Sequence, residues 1–270
     1  RVGVHHKRNQ LLSSDAVGAC GVLRVGEEVK ILVSFKLKKW YDSIGEIRNG
    51  ECFMSKGSLK LGGAVFWAAV YFCMMVFYTA LDITVWRPAF AAFSEWVNMM
   101  FMILCVFGFV VLLTRTRYEI RLFPNVTFTG ILMAAGCSLL FFLLLDNCLD
   151  PVFERIFPQS EEAYQETIQR LLKSPVTSFL QVCVMAPFIE EILMRGFVLG
   201  GLKSTYGAGT ALLVSAFLFA LLHFNMVQTL SAFVCGAVLG MLYLKTDSIF
   251  CCILAHCGYN LISCIAMLSA

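Results

Sequence analysis

Charged side chains are scarce in this sequence: Asp, Glu, Lys and Arg make up 14% of the 270 residues, whereas 59% are hydrophobic. Soluble domains carry about 25% charged residues, so the composition argues against a soluble domain. The alternation of polar and apolar residues that a transmembrane β-barrel needs is also missing. The sequence therefore predicts an all-α fold, a polytopic transmembrane helical bundle of about seven to eight spans.

Recognisable metal and disulfide patterns are missing as well. The twelve cysteines form no CxxC pair, no Cys/His spacing typical of a metal site occurs, and there is no HExxH motif. Most of the cysteines lie within apolar stretches, where we expect reduced thiols that pack as small apolar side chains. The chain begins at Arg1 with no signal peptide that we can identify, and its last residues lack the cysteine of a prenylation box.

Seven apolar stretches have roughly the 17–25 residues that cross about 30 Å of hydrocarbon. We predict the spans at Leu61–Leu81, Ser94–Leu113, Val126–Leu145, Pro175–Leu202, Ala208–Phe224, Val227–Leu244 and Ile249–Leu268. A very short turn at Asn225-Met226 makes the fifth and sixth spans an antiparallel hairpin. We divide the chain into a polar, basic N-terminal segment (1–60), a transmembrane hairpin (61–125) and a core (126–270).

The basic residues predict the orientation in the membrane. Residues 1–60 contain eleven Lys and Arg against six Asp and Glu, and three arginines separate the second and third spans. Cytoplasmic loops are enriched in such residues, so the N-terminus is predicted to be cytoplasmic. The loop Asp146–Ser174, acidic on balance, falls on the opposite side, and Glu161–Lys173 within it resembles an amphipathic surface helix. An eighth, interfacial or re-entrant helix is predicted within 25–45 or 150–173.

The fourth predicted span carries charges in its interior, namely Glu190, Glu191 and Arg195. Charges at membrane depth cost several kcal/mol each by order of magnitude, so a partner or a function usually explains them. Glu191 and Arg195 are spaced i, i+4 and share a helix face, whereas Glu190 projects elsewhere. Pro187 can kink the helix beside the acids. The simpler alternative is a cluster of charges that reach towards water from a helix end.

Further polar residues lie in the last spans: His223, one turn after Phe219, and the i, i+4 pair His256 and Asn260. Either histidine alone could be a hydrogen-bonded core residue. At about 1.5 Å per residue, however, Glu190, His223, His256 and Asn260 all lie roughly 14–22 Å from the cytoplasmic ends of their spans. A carboxylate, two imidazoles and a carboxamide in one layer supply the groups that water attack on an amide needs.

The ordered motifs on these spans resemble those of a known family. E-E-I-L-M-R matches EExxxR, F-A-L-L-H matches FxxxH, and H-C-G-Y-N matches HxxxN. In this order the chain, over about residues 130–268, resembles the CPBP family, which comprises type II CAAX prenyl endopeptidases and bacteriocin-processing and abortive-infection (Abi) relatives. None of the three motifs departs from the family pattern.

The resemblance implies a glutamic intramembrane endopeptidase that uses no metal and no cofactor. Glu190 and His223 would hold and activate the water, and His256 and Asn260 would stabilise the oxyanion. The residues that would support the site structurally are Glu191, Arg195 and Phe219. The implied partners are membrane lipid and a peptide or protein substrate, either prenylated or a leader peptide, and no nucleic acid.

Three alternatives remain open at the level of sequence. Two histidines and one glutamate are enough ligands for catalytic zinc, so a zinc-dependent membrane protease is the nearest rival. A non-catalytic membrane adaptor or immunity protein could keep the same fold. A transporter would also bury acids, but no inverted repeat is visible in the sequence.

Overall fold

The structure is a computed structural model that describes residues 59–116, 120, 125–158, 173–223 and 225–269. This part of the chain is helical and contains no strand, so the predicted all-α bundle is confirmed. Predictions for the N-terminal segment and for the surface helix Glu161–Lys173 fall almost wholly outside the described residues.

Within these ranges the chain forms seven helical rods, which we number α1 to α7. Their bounds are Leu61–Phe90 (α1), Ser94–Thr114 (α2), Phe128–Ile156 (α3), 175–206 (α4), Ala208–Ala220 (α5), Met226–Thr246 (α6) and Ile249–Ser269 (α7). A helix satisfies every backbone hydrogen bond within its own segment, which hydrocarbon surroundings require.

Five of the rods, α1, α2, α3, α6 and α7, are long and apolar enough to cross a membrane. These five rods make the protein a multi-pass integral membrane protein. The other two predicted spans are not among these five. The fourth corresponds to α4, which carries three charged residues in its interior, and the fifth corresponds to α5, whose 13 residues end at Ala220.

Polar side chains cap the helices at two of the connections. The Thr127 hydroxyl accepts a hydrogen bond from the Gly130 amide at 3.1 Å at the start of α3. Asn225, part of the predicted turn, caps α6 by accepting from the Val227 amide at 2.9 Å. Each cap satisfies a backbone donor that the first helical turn leaves without a partner. The Asn225 cap fixes the point at which the α5–α6 hairpin reverses.

The third helix continues well beyond its predicted end at Leu145. Residues 146–156, predicted as part of a loop, are helical, so that prediction is wrong there. Asp146 is half-buried against α7, where it accepts hydrogen bonds from Tyr259 Oη at 2.7 Å and Ser263 Oγ at 2.5 Å, and Asp150 accepts from Ser231 of α6. Hydrophobicity alone cannot detect acids that hydroxyl groups of other helices satisfy.

Helix α4 is the centre of the bundle. Its residues 189–202 are all buried, which is the pattern of a helix packed on every side. Trp67 of α1 packs edge-on against Phe197 at 6.1 Å between ring centroids. Across the neighbouring α5–α6 contact, a Cβ on Gly236 would lie 3.1 Å from the Cα of Ala216, so the glycine permits a close approach. The charged residues of α4 are thereby enclosed by protein.

Candidate active site

The carboxylates Glu190 and Glu191 end a short α-helical stretch of α4, Ala186–Glu191, that lies between two π-helical stretches, Leu180–Met185 and Ile192–Leu199. Pro187 stands at the start of this stretch and has no amide proton to donate to the preceding turn. π-Helical insertions change the face on which the following side chains emerge and are frequent at functional sites. As a result, the two adjacent acids are both buried in the core of the bundle.

Glu191 is fully buried and joins two helices through one oxygen atom. Its Oε1 accepts hydrogen bonds from Arg195 Nη1 at 2.7 Å and from His256 Nδ1 at 2.9 Å. The arginine is the i+4 neighbour on α4, and the histidine belongs to α7. Glu191 therefore orients the His256 ring in addition to pairing with Arg195, a contact that sequence spacing does not indicate.

Arg195 extends the same network to α5 and α6. It is fully buried, its Nη2 donates to the carbonyl oxygen of Gly236 at 3.1 Å, and its guanidinium carbon lies 4.7 Å from the ring centroid of Phe219. A guanidinium over an aromatic face is attractive, and more so where water is excluded. One side chain thus links α4 to both α5 and α6 beside the acids.

Glu190 is also buried, with 8% of its surface exposed, but its contacts differ from those of Glu191. Among the described residues it makes no hydrogen bond and no ion pair, and its i+4 position is Met194. A buried ionisable group without a compensating partner is costly, and such groups concentrate at functional sites. Glu190 is the carboxylate in this cluster that remains available to another molecule.

Both histidines lie against Phe219. The ring centroid of Phe219 is 5.2 Å from that of His223 and 5.8 Å from that of His256, with edge-on geometry in each case. Nδ1 of His223 donates to the carbonyl oxygen of Phe219 at 3.1 Å. Since Nδ1 is the donor in both rings, Nε2 is the nitrogen that each histidine can offer to a substrate or a water.

The position of His223 differs from the prediction in one respect. It was predicted inside a span that reaches Phe224, but α5 ends at Ala220 and His223 follows a turn. Its amide donates to the carbonyl of Ala220 at 3.1 Å, an i−3 bond of the tighter type that often closes a helix. The histidine therefore lies at the end of the helix, where its side chain is half-buried.

Asn260 also contacts α4, but at a different height along the helix from the contact between His256 and Glu191. Its Nδ2 donates to the carbonyl oxygen of Val182 at 2.8 Å, within the first π-helical stretch. A carboxamide has two N–H groups, so this contact leaves one donor. His256 and Asn260, one turn apart on α7, thus both attach α7 to α4.

The structure therefore joins most of the predicted site residues in one network. Glu191, Arg195, His256, Phe219 and His223 are linked in a chain of direct contacts, with Glu190 adjacent in sequence. Within the described residues, no group of three or more His, Cys, Asp or Glu side chains is arranged to hold a metal ion. The metal-free hypothesis stays a prediction to be tested by chemistry.

Comparison with known proteins matches one family. The family model described as type II CAAX prenyl endopeptidase Rce1-like matches residues 172–262, which contain all three sequence motifs. No curated protein and no solved structure matches the chain. The resemblance predicted from the motifs is confirmed over these residues.

Proposed function

We propose that the protein is a metal-independent intramembrane endopeptidase that hydrolyses a peptide bond near the membrane. The observation that supports it best is Glu190, a buried carboxylate without a partner in the described part of the chain, beside Glu191, whose Oε1 is paired with both Arg195 and His256. Glu191 has a structural role, and Glu190 is available to act in the reaction. The match to a family of membrane endopeptidases supports the same conclusion.

In the proposed reaction Glu190 is the general base. It takes a proton from a water as the oxygen attacks the carbonyl carbon, and the carbonyl π electrons move to oxygen to form the tetrahedral oxyanion. The leaving nitrogen receives the proton from Glu190 as the C–N bond breaks. His223, whose Nε2 is not used by the contact to Phe219, carries protons between this site and its surroundings.

His256 and Asn260 are proposed to stabilise the oxyanion. Asn260 has one N–H that its bond to Val182 leaves for a ligand. His256 already donates a hydrogen bond from Nδ1 to Glu191. To donate from Nε2 as well, the ring must be a protonated imidazolium, and the positive charge of that imidazolium would face the Glu191 carboxylate. Donors that are already positioned are effective because they need no rearrangement during the reaction.

We propose as substrate a membrane-proximal peptide, either a prenylated C-terminal segment or a leader peptide. The test uses the full-length protein in detergent, with a CAAX peptide offered in prenylated and unprenylated forms. We expect cleavage of at least one, and no loss of activity with a zinc chelator. Failure to cleave either peptide or a leader peptide by a folded preparation favours the non-catalytic adaptor. Activity lost on removal of one zinc per chain favours the metalloprotease.

The orientation is proposed from the distribution of basic residues, with the N-terminus in the cytoplasm. Cys52 precedes α1 and is followed by Lys56 and Lys60, so we expect a membrane-impermeant thiol reagent to label it from the cytoplasmic side. A variant that lacks Cys52 is the control for labelling of other cysteines. Labelling of Cys52 from the opposite side alone would make the orientation wrong.

A further inference from the structure

The first helix lies antiparallel to α4 and brings Tyr71 to the level of Glu190. The amide of Leu59 donates to the carbonyl of Gly201 at 3.1 Å, which fixes the register at one end. From this point Tyr71 is about 18 Å along α1, and Glu190 is about 16 Å back along α4. The packing of Trp67 on Phe197 is a second contact, and together the two contacts show that the helices run antiparallel.

Tyr71 is buried in an unusual way for a tyrosine. It is 1% exposed, its ring packs against Phe109 of α2 at 5.6 Å, and its hydroxyl has no hydrogen-bond partner in the described part of the protein. Burying a hydroxyl without a partner costs free energy, and buried hydroxyls are usually satisfied. If packing alone were needed here, phenylalanine would supply it without that cost.

The unpartnered hydroxyl and the unpartnered carboxylate belong to the same region. By the register of α1 and α4, Tyr71 lies at the level of Glu190, whereas Tyr78 lies two turns further along α1. Neither Glu190 nor the Tyr71 hydroxyl has a hydrogen bond to a described residue. A buried water needs two to four polar partners, and these two groups provide them from opposite helices.

We propose that Tyr71 holds the attacking water together with Glu190, its hydroxyl oxygen accepting a hydrogen bond from the water proton that does not go to the carboxylate. This role rests on the proposed endopeptidase function. Tyr71 lies outside residues 172–262, so the family match does not assign it. In this arrangement one proton of the water points at Glu190, the other at Tyr71, and a lone pair of the water oxygen points at the substrate carbonyl.

The test is Tyr71→Phe, which removes only the hydroxyl, with Tyr78→Phe as the matched control on the same helix. Because the water would lose one of its contacts, we expect the kcat of Tyr71→Phe to fall about 10-fold to 100-fold with KM unchanged. Thermal stability should stay close to that of the wild type, since the hydroxyl makes no hydrogen bond to another described residue. Tyr78→Phe should keep kcat within about twofold.

Three results would overturn the inference: a Tyr71→Phe variant with wild-type kcat, a higher KM with kcat unchanged, or a loss of activity that follows a lower melting temperature. An equal loss in Tyr78→Phe would also contradict it. Glu190→Gln, measured in parallel, separates this inference from the function on which it rests. If the wild type cleaves and Glu190→Gln does not, an active Tyr71→Phe refutes the water contact alone. If the wild type cleaves nothing, the endopeptidase proposal itself has failed.

Discussion

Replacing Glu190 by glutamine should abolish peptide hydrolysis while the protein still inserts and purifies as a folded species. Glutamine has nearly the same shape but cannot accept the proton of the attacking water. General-base catalysis contributes about 10²–10⁴-fold to a rate, so a loss of at least that size is expected. Because Glu190 has no ion-pair partner among the described residues, its neutralisation removes a buried charge and leaves no other charge unpaired. Stability should be unchanged or higher.

The measurement is peptidase activity per folded molecule, with folding followed by thermal unfolding in the same detergent. Glu95→Gln provides the matched control, since it makes the same chemical change in the first turn of α2. This variant should be fully active. An active Glu190→Gln variant would show that Glu190 is not the base. A Glu190→Gln variant that unfolds would show that the carboxylate has a structural role instead.

The positions of the helices could largely be predicted from the sequence, because span length and hydrophobicity are local properties. The predicted start of α2 at Ser94 and of α7 at Ile249 coincide with the structure. The end of α3 could not be predicted, since Asp146 is accommodated in the helix by hydrogen bonds from Tyr259 and Ser263 of α7. Such partners come from tertiary packing and leave no periodic signal.

The same distinction applies to the site. The i, i+4 spacing of Glu191 and Arg195 identifies a local pair, because residues four apart on a helix are neighbours. The spacing says nothing about His256, which meets the same carboxylate oxygen from a helix 65 residues away. The bond from Asn260 to Val182 likewise depends on how α7 crosses α4. The sequence motifs thus predicted which residues belong to the site, and the structure shows which of them touch.

Replacing Glu191 by alanine should, in contrast to Glu190→Gln, destabilise the fold first. Arg195 is fully buried, and losing its carboxylate partner costs about 3–5 kcal/mol. For a chain of this size we expect the melting temperature to fall by roughly 10 °C. The change also removes the acceptor of the His256 Nδ1–H bond, so His256 loses its orientation. Glu191→Gln is the milder variant, because its amide oxygen can still accept from both partners.

Adding Arg195→Met to Glu191→Ala separates the two roles of Glu191, which are to pair with Arg195 and to orient His256. In the double variant neither charge of the Glu191–Arg195 pair is left buried, and methionine fills much of the arginine volume, so a large part of the lost stability should return. Activity should stay low, because His256 still lacks its acceptor. A double-mutant cycle in melting temperature, with activity measured per folded molecule, gives both quantities. If activity returns together with stability, Glu191 acts through the fold alone. If Glu191→Ala is as stable as the wild type yet inactive, Glu191 is the better candidate for the base, and the roles proposed for the two neighbouring acids are exchanged.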